Sequence, residues 1–207
     1  MKRGAIVLCG GKSSRMGRPK AMLPFGPERM LERVVRLVGE AVPRENVVVV
    51  AAPGQELPPL PGEITIAHDR REYQGPLEGI ACGFAALAEK ADAAYVTGCD
   101  VPLLAPALIH RMFELLGTHD IAVPKEEKFY HPLAAVYRTC VLPQIEQLLA
   151  DERFRPVFLF EKCATREVAI DELRKVDPEL QSLRNLNNRE DYFTALNDAG
   201  FPGDVQF

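Results

Sequence analysis

Between Val7 and Leu23 the chain reads VLCGGKSSRMGRPKAML: a glycine pair, Gly10-Gly11, followed by Lys12, Arg15, Arg18 and Lys20, with no acid before Glu28. Glycines allow a backbone to approach a ligand closely, and clustered cations add to backbone N–H donors in holding a polyphosphate. Gly11-Lys12-Ser13 ends like a Walker A loop, but the first glycine of such a loop would fall on Ile6. The dinucleotide pattern G-x-G-x-x-G fails as well, since Gly10 and Gly11 are adjacent and the next glycine is Gly17. What remains is a glycine pair at a strand end with Lys12, Arg15 and Lys20 spread over a long loop, set against the plainer reading of a solvated surface loop.

Further side chains could do chemistry with such a ligand. Asp100, in TGCDVP, puts a carboxylate at the end of an apolar run that Val101-Pro102 prevents from continuing. It lies too far ahead of Pro106 to be the natural cap of the next helix, which favours a functional role over a cap. Asp69 also follows an apolar run, with a turn-forming role as its alternative. Gly75-Pro76 opens a helix whose N-terminus attracts anions, compatible with an ordinary proline-initiated start. His131 sits between a polar turn and a strand, where an edge-strand histidine is the competing reading. Asn185, Asn187 and Asn188 offer amide donors and acceptors, and Asn187 or Asn188 is also a natural cap for the helix that follows.

These residues must be positioned by the elements between them. Gly4 to Cys9 reads as a buried strand, Arg29 to Ala41 as a helix with Met30, Leu31, Val34, Val35 and Val38 at helical spacing, and Asn46 to Ala52 as a central strand. Strands are predicted over Ile64 to Ala67 and Ala93 to Thr97, with helices over Pro76 to Lys90 and Pro106 to Leu116. This βαβ rhythm predicts an α/β fold with a mostly parallel sheet, helices on both faces and ligands outside the carboxyl ends of the strands. After Ile121 to Pro124 the rhythm changes. Lys125 to Tyr130 reads as a polar turn and Pro132 to Arg138 as a strand returning antiparallel at the sheet edge. Helices around Leu142 to Leu149 and Pro156 to Cys163, a strand over Glu167 to Ile170, a last helix over Arg189 to Asn197 and a loose tail from Asp198 complete the chain.

Composition bounds the function. With 207 residues and 47% hydrophobic content, the chain can bury roughly 70% of its unfolded surface, which predicts one domain. Its formal net charge of −4 argues against a protein that coats nucleic acid, while the basic N-terminal stretch predicts a small polyanion as partner. Five cysteines, Cys9, Cys82, Cys99, Cys140 and Cys163, show no C-x-x-C spacing and are expected to be small buried apolar residues. The apolar run Ala5 to Cys9 is too short for a secretory core, and no stretch approaches the ~20 apolar residues of a membrane span. A soluble, cytoplasmic protein without membrane contact is the expectation.

The N-terminal layout resembles the motif L-x-G-G-x-x-x-R-M-G-x-x-K of nucleotidyltransferases with a nucleoside-diphosphosugar-transferase-like fold, here Leu8-Cys9-Gly10-Gly11, Arg15-Met16-Gly17 and Pro19-Lys20. More narrowly, the chain resembles the molybdenum cofactor guanylyltransferases. Asp69 ahead of Gly75-Pro76-Leu77-Glu78-Gly79, then Gly98-Cys99-Asp100-Val101-Pro102, His131-Pro132-Leu133 and Asn185-Leu186-Asn187-Asn188 follow in the same order. The resemblance implies a three-layer α/β/α, Rossmann-like fold forming one nucleotidyltransferase domain over residues 1–207, with the nucleotide part about 1–105 and the acceptor part about 106–197. It implies GTP and molybdopterin as small-molecule partners, Mg2+ as cofactor, and room for transient contact with molybdenum cofactor insertion proteins or molybdoenzymes.

Carried over residue by residue, the resemblance makes Arg15, Lys20 and Asp100 catalytic. Leu8, Cys9, Gly10, Gly11, Lys20, Asp69 and Asp100 contact the nucleotide, with Asp100 holding the metal, and His131, Asn185 and Asn187 contact the acceptor. Two departures stand out. Cys9 replaces the usual alanine, which adds reactivity toward oxidants, and Glu78 replaces an alanine common in the G-P-L-A-G turn. Alternatives within the same fold are CMP transfer to molybdopterin, or nucleotidyl transfer to a sugar or polyol phosphate. A nucleotide-binding protein without turnover is the alternative from another class.

Overall fold

The computed structural model describes residues 1–10, 18–70 and 75–201. Strand β1 (Arg3–Leu8) is followed by a two-strand ribbon, β2 (Pro24–Phe25) and β3 (Glu28–Arg29), and then by α1 (Met30–Gly39). Next come β4 (Val47–Ala51), β5 (Thr65–His68), α2 (Pro76–Leu87), β6 (Ala93–Gly98) and α3 (Pro106–Leu116). The second part comprises β7 (Ile121–Glu126), β8 (Phe129–Tyr130), β9 (Ala134–Arg138), α4 (Leu142–Ala150), α5 (Val157–Phe160), β10 (Thr165–Ala169) and α6 (Arg189–Asp198).

The main sheet runs β10-β7-β9-β6-β1-β4-β5, with β8 paired to β7. The β-branched run Val47–Val50 and the strand Ala93–Gly98 (AAYVTG) are buried throughout, as strands covered on both faces must be. The α1 and α3 residues Leu31, Val34, Val35, Leu108, Ile109 and Met112 pack on one face. The α2 and α4 residues Leu77, Ile80, Phe84, Ile145 and Leu148 pack on the other. The result is the three-layer, mostly parallel α/β/α architecture that the alternating pattern predicts. Each buried Leu, Ile or Phe contributes about 1.5–3 kcal/mol to these layers.

Register sets the functional edge. Leu8 pairs with Val50 of β4 and Gly98 of β6, and Ala51 pairs with His68, so parallel β1, β4, β5 and β6 end together. Cys9, Ala52, Asp69 and Cys99 therefore leave the sheet side by side.

Several predicted features differ in the structure. The antiparallel return is not at the edge: β9 lies between β6 and β7, antiparallel to both. Its Ala134, Ala135, Val136 and Tyr137 are all buried, and such an apolar strand gains more in the interior slot, while the more polar β10 (TREVA) takes the edge. The polar segment Lys125 to Tyr130 is a hairpin rather than a turn alone, with Lys125 facing Tyr130 across the ladder and Glu127 at φ 47 making the reversal. The helix expected over Pro156 to Cys163 is only the single turn Val157–Phe160. Cys9, Cys82 and Cys99 are buried as expected, whereas Cys140 is exposed and Cys163 intermediate.

The tail expected to be loose begins as packed structure. Asp198 closes α6, and the Phe201 ring meets Phe25 edge-on at 6.0 Å; residues 202–207 lie outside the described residues. Phe25 belongs to a third apolar cluster, with Leu23, Met30, Leu186, Tyr192, Ala195 and Leu196. The Tyr192 hydroxyl donates to the Pro24 carbonyl. This cluster fastens the C-terminal helix to the segment just after Lys20.

Candidate active site

Lys20 opens a short 3-10 turn, Lys20–Met22, whose Ala21 and the following Leu23 are each 1% exposed. That anchorage directs Lys20 across to the end of β6, where Nζ lies 2.8 Å from Asp100 Oδ2. Gly98 makes room for this carboxylate, because a Cβ there would stand 2.5 Å from Asp100 Oδ1. Lys20 Nζ also donates to Asn187 Oδ1 at 3.4 Å, and the Leu186 N–H donates to the Asp100 carbonyl at 2.9 Å. Three segments distant in sequence thus converge on one ion pair, partly exposed at 18% and 16%. An ion pair reached by water contributes little net stability, about 1 kcal/mol or less, so an incoming ligand can exchange it cheaply.

The asparagines separate by role. Asn188 caps α6: its side chain accepts from the Asp191 N–H at 2.9 Å, and Asp191 Oδ2 accepts in return from the Asn188 N–H at 3.3 Å. The same oxygen accepts from the Asn187 N–H at 2.9 Å, so the capping box orients Asn187 toward Lys20. Asn185 reaches this cluster through its carbonyl, which accepts from Asn187 Nδ2 at 3.5 Å.

Asp69 follows β5, and its N–H donates to the Ala51 carbonyl at 3.0 Å. Its carboxylate lies against two glycines: a Cβ on Gly10 would stand 2.8 Å from Oδ2, and one on Gly79 would stand 3.4 Å from Oδ1. Burial, followed by the negative charge of Glu78, raises the Asp69 carboxyl above the usual aspartate range, with His68 opposing. Leu8 supports the same corner, with Cδ2 3.0 Å from the position of a Gly79 Cβ.

Cys9 is 7% exposed and lies beside Cys99 on the neighbouring strand end. The hydrogen bond its thiol shares with Cys99, then burial, and then the nearby negative charges of Cys99, Asp100 and Asp69 push that thiol well above the ordinary range. A raised thiol pKa disfavours the nucleophilic thiolate, which acts against the reactivity expected from replacing alanine. The Cys9 N–H is committed to the Val50 carbonyl at 2.8 Å, and its carbonyl accepts from Gln55 Nε2 at 3.2 Å. Gln55 lies in an irregular proline-rich connection, and no pattern in the sequence singles it out.

His131 projects beyond the β9 end that pairs with Thr97, on the same side of the sheet as the other candidates. Among the described residues its Nε2 has no hydrogen-bond partner, Glu126 lying 4.0 Å away, and burial lowers its pKa against the pull of that acid. No hydrogen bond or ion pair joins it to Lys20 or Asp100 among the described residues. Gly11, Lys12 and Arg15 lie outside the described residues. Sequence reasoning missed the Arg70 clamp on Glu78 and Glu146, although Glu78 stood out as a departure from the family pattern.

Residues 5–166 match the family model described as a MobA-like NTP transferase domain. The chain belongs to the MobA-like NTP transferase family. Members of this family similar to it include a protein of Methanosarcina acetivorans named a probable molybdenum cofactor guanylyltransferase, 36% identical over 201 residues, covering 91% of this chain and 88% of the relative. A Desulfosudis oleivorans protein named molybdenum cofactor guanylyltransferase is 31% identical, with 90% of each chain covered. Among solved structures, molybdopterin-guanine dinucleotide biosynthesis protein A from Archaeoglobus fulgidus superposes with a TM-score of 0.76 at 21% identity, covering 97% of this chain and 99% of that one. That likeness extends the family's fold to this chain. As a MobA-like NTP transferase, the protein is a nucleotidyltransferase of molybdenum cofactor biosynthesis, and the convergence of Lys20, Asp100 and Asn187 lies at the strand ends where such a fold binds ligands.

Proposed function

We propose that the protein transfers GMP from GTP to the terminal phosphate of molybdenum-molybdopterin, giving molybdopterin guanine dinucleotide and pyrophosphate. The observation that carries this reading is the Lys20–Asp100–Asn187 convergence at 2.8 and 3.4 Å, in a chain whose curated relatives are named guanylyltransferases. An acceptor phosphate oxygen attacks the α-phosphorus, the bond from that phosphorus to the α,β-bridging oxygen breaks, and pyrophosphate leaves with the electron pair. The attacking monoester is already ionised, so the task is to bring two anions together rather than to abstract a proton. Lys20 supplies positive charge to the phosphates, assisted by Arg15 and Lys12 of the loop; Asn187 holds Lys20 from the acceptor side, and His131 and Asn185 border that side.

The donor set suits magnesium shared with phosphates. Among the described residues no group of three metal-ligating side chains occurs, and Asp100 can contribute the one carboxylate that a nucleotide-borne Mg2+ would require. When bound there, magnesium neutralises the charge that shifts toward pyrophosphate. Lys20 then exchanges Asp100 for phosphate, so the resting ion pair keeps both groups at the site before ligand arrives. Asp69, wedged against Gly10, accepts a hydrogen bond from the nucleotide.

Pyrophosphate release with GTP and molybdopterin tests the reaction. Calorimetry tests the base, with GTP expected to bind at least about tenfold, or about 1.4 kcal/mol, better than CTP. Equal affinities would remove the guanylyl assignment.

A further inference from the structure

Glu78 is the third residue of α2 and only 4% exposed, yet the transfer chemistry leaves it without a task. A carboxylate buried this deeply is costly unless paired and hydrogen-bonded. Its partner is Arg70, whose Nε and Nη2 donate to its two oxygens at 3.0 and 3.3 Å. The same guanidinium donates Nη1 and Nη2 to Glu146 of α4 at 3.2 and 3.3 Å. One arginine therefore bridges the first turn of α2 and the outer side of α4, and these bonds keep it firmly protonated.

Arg70 immediately follows Asp69, and the two side chains have different environments. Arg70 is drawn toward the helices, while the Asp69 oxygens lie beside Gly10 and Gly79. Gly79 is the residue after Glu78, so the clamp and the Asp69 pocket share one helical turn. A guanidinium fixed by four hydrogen bonds leaves the adjoining backbone little freedom, and a shift of about 1 Å at a ligand contact is enough to cost binding or rate.

We propose that Arg70, gripped by Glu78 and Glu146, is a positioning residue that holds the Asp69 carboxylate against the Gly10 backbone for the nucleotide. This rests on the reading of Asp69 as a nucleotide contact. The competing account is that Arg70 only neutralises the buried Glu78, in which case its loss changes stability and leaves binding by the folded protein intact.

The test is a double-mutant cycle read by calorimetry with GTP and magnesium, at a temperature well below each variant's unfolding midpoint. Arg70→Met combined with Glu78→Gln removes the pair without leaving a buried charge unpaired, so the protein stays folded and measurable. This double variant is expected to weaken GTP binding by about tenfold or more, as Asp69→Asn does, and to weaken it no further when added to Asp69→Asn. Arg70→Lys keeps an ion pair but not the fork, and falls between. Wild-type affinity in the double variant beside weakened binding in Asp69→Asn overturns the proposal, as does an additive loss in the combined variant, which would mean that Arg70 touches the ligand itself. Wild-type affinity in Asp69→Asn alone overturns the Asp69 reading first, and the two failures are thereby told apart.

Discussion

Asp100 and Asp69 leave the same sheet edge with β1 and β4 between their strands, yet the fold treats their charges in opposite ways. Asp100 is matched by Lys20 at 2.8 Å and braced by the C-terminal segment through Leu186 and Asn187. Among the described residues no basic side chain pairs with Asp69, because the adjacent Arg70 is committed to Glu78 and Glu146. One carboxylate is thus neutralised by Lys20, which under the proposed function also serves the phosphates, so that ligand arrival would be an exchange. The other is held half-buried beside a second acid at some cost, and a hydrogen-bond donor on the ligand can relieve it. A compensated charge and an uncompensated one at one edge suit a cation and a neutral donor, respectively.

The largest effect expected to sharpen this contrast is at Asp100. Asp100→Asn should lower turnover by about 10²-fold or more while weakening metal-free nucleotide binding little, since the loss falls on charge developing in the transition state. Wild-type turnover at limiting magnesium would transfer the metal role to Asp69. Next comes Lys20→Ala, expected to weaken GTP binding by about tenfold or more, with a stability change on the order of 1 kcal/mol. The same variant uncovers Asp100, so manganese titrated without nucleotide should bind it more tightly than wild type; unchanged manganese affinity would break the exchange idea.

Asp69→Asn should do the opposite to stability. The folded pKa of Asp69 is raised, so its charged form costs stability near neutrality, and that cost is recovered as pH falls through the folded value toward the ordinary one. The asparagine variant should therefore melt at or above the wild-type temperature near neutrality while binding GTP less tightly, with the thermal advantage gone near pH ~4. The smallest effect is at His131, whose folded pKa is lowered by burial. The neutral form contributes its full share above the ordinary value of ~6.5, and stability is lost as pH falls below it, so His131→Asn should flatten the acid limb of the melting profile.

Much of the architecture was legible in the pattern of apolar residues. The helix Pro106–Leu116 has the bounds its proline and periodicity predict, and α1 begins one residue after its expected start. The placement of β9 was not legible, because an apolar strand is consistent with several slots and only the β6–α3–β7 crossover leaves the one it fills. At the site, Asp100 could be recognised from the chain-breaking Val101-Pro102 after a buried strand. The Arg70 clamp could not, because Glu146 is seventy-six positions away and a lone buried glutamate carries no local signature.

By itself, then, the sequence determined the residue types at the strand ends: the glycine pair, the cations after it, and the two aspartates after β5 and β6. These follow from local rules, in which glycine permits close approach, proline stops a strand and alternation of elements aligns the carboxyl ends. Which of those groups meet was decided by the tertiary structure alone. Lys20 touches Asp100 across eighty positions and Asn187 across 167, because the third apolar cluster closes α6 over the segment carrying Lys20. Burial of apolar surface does not depend on separation along the chain, so contacts between remote polar groups are set by the packing that brings their backbones together.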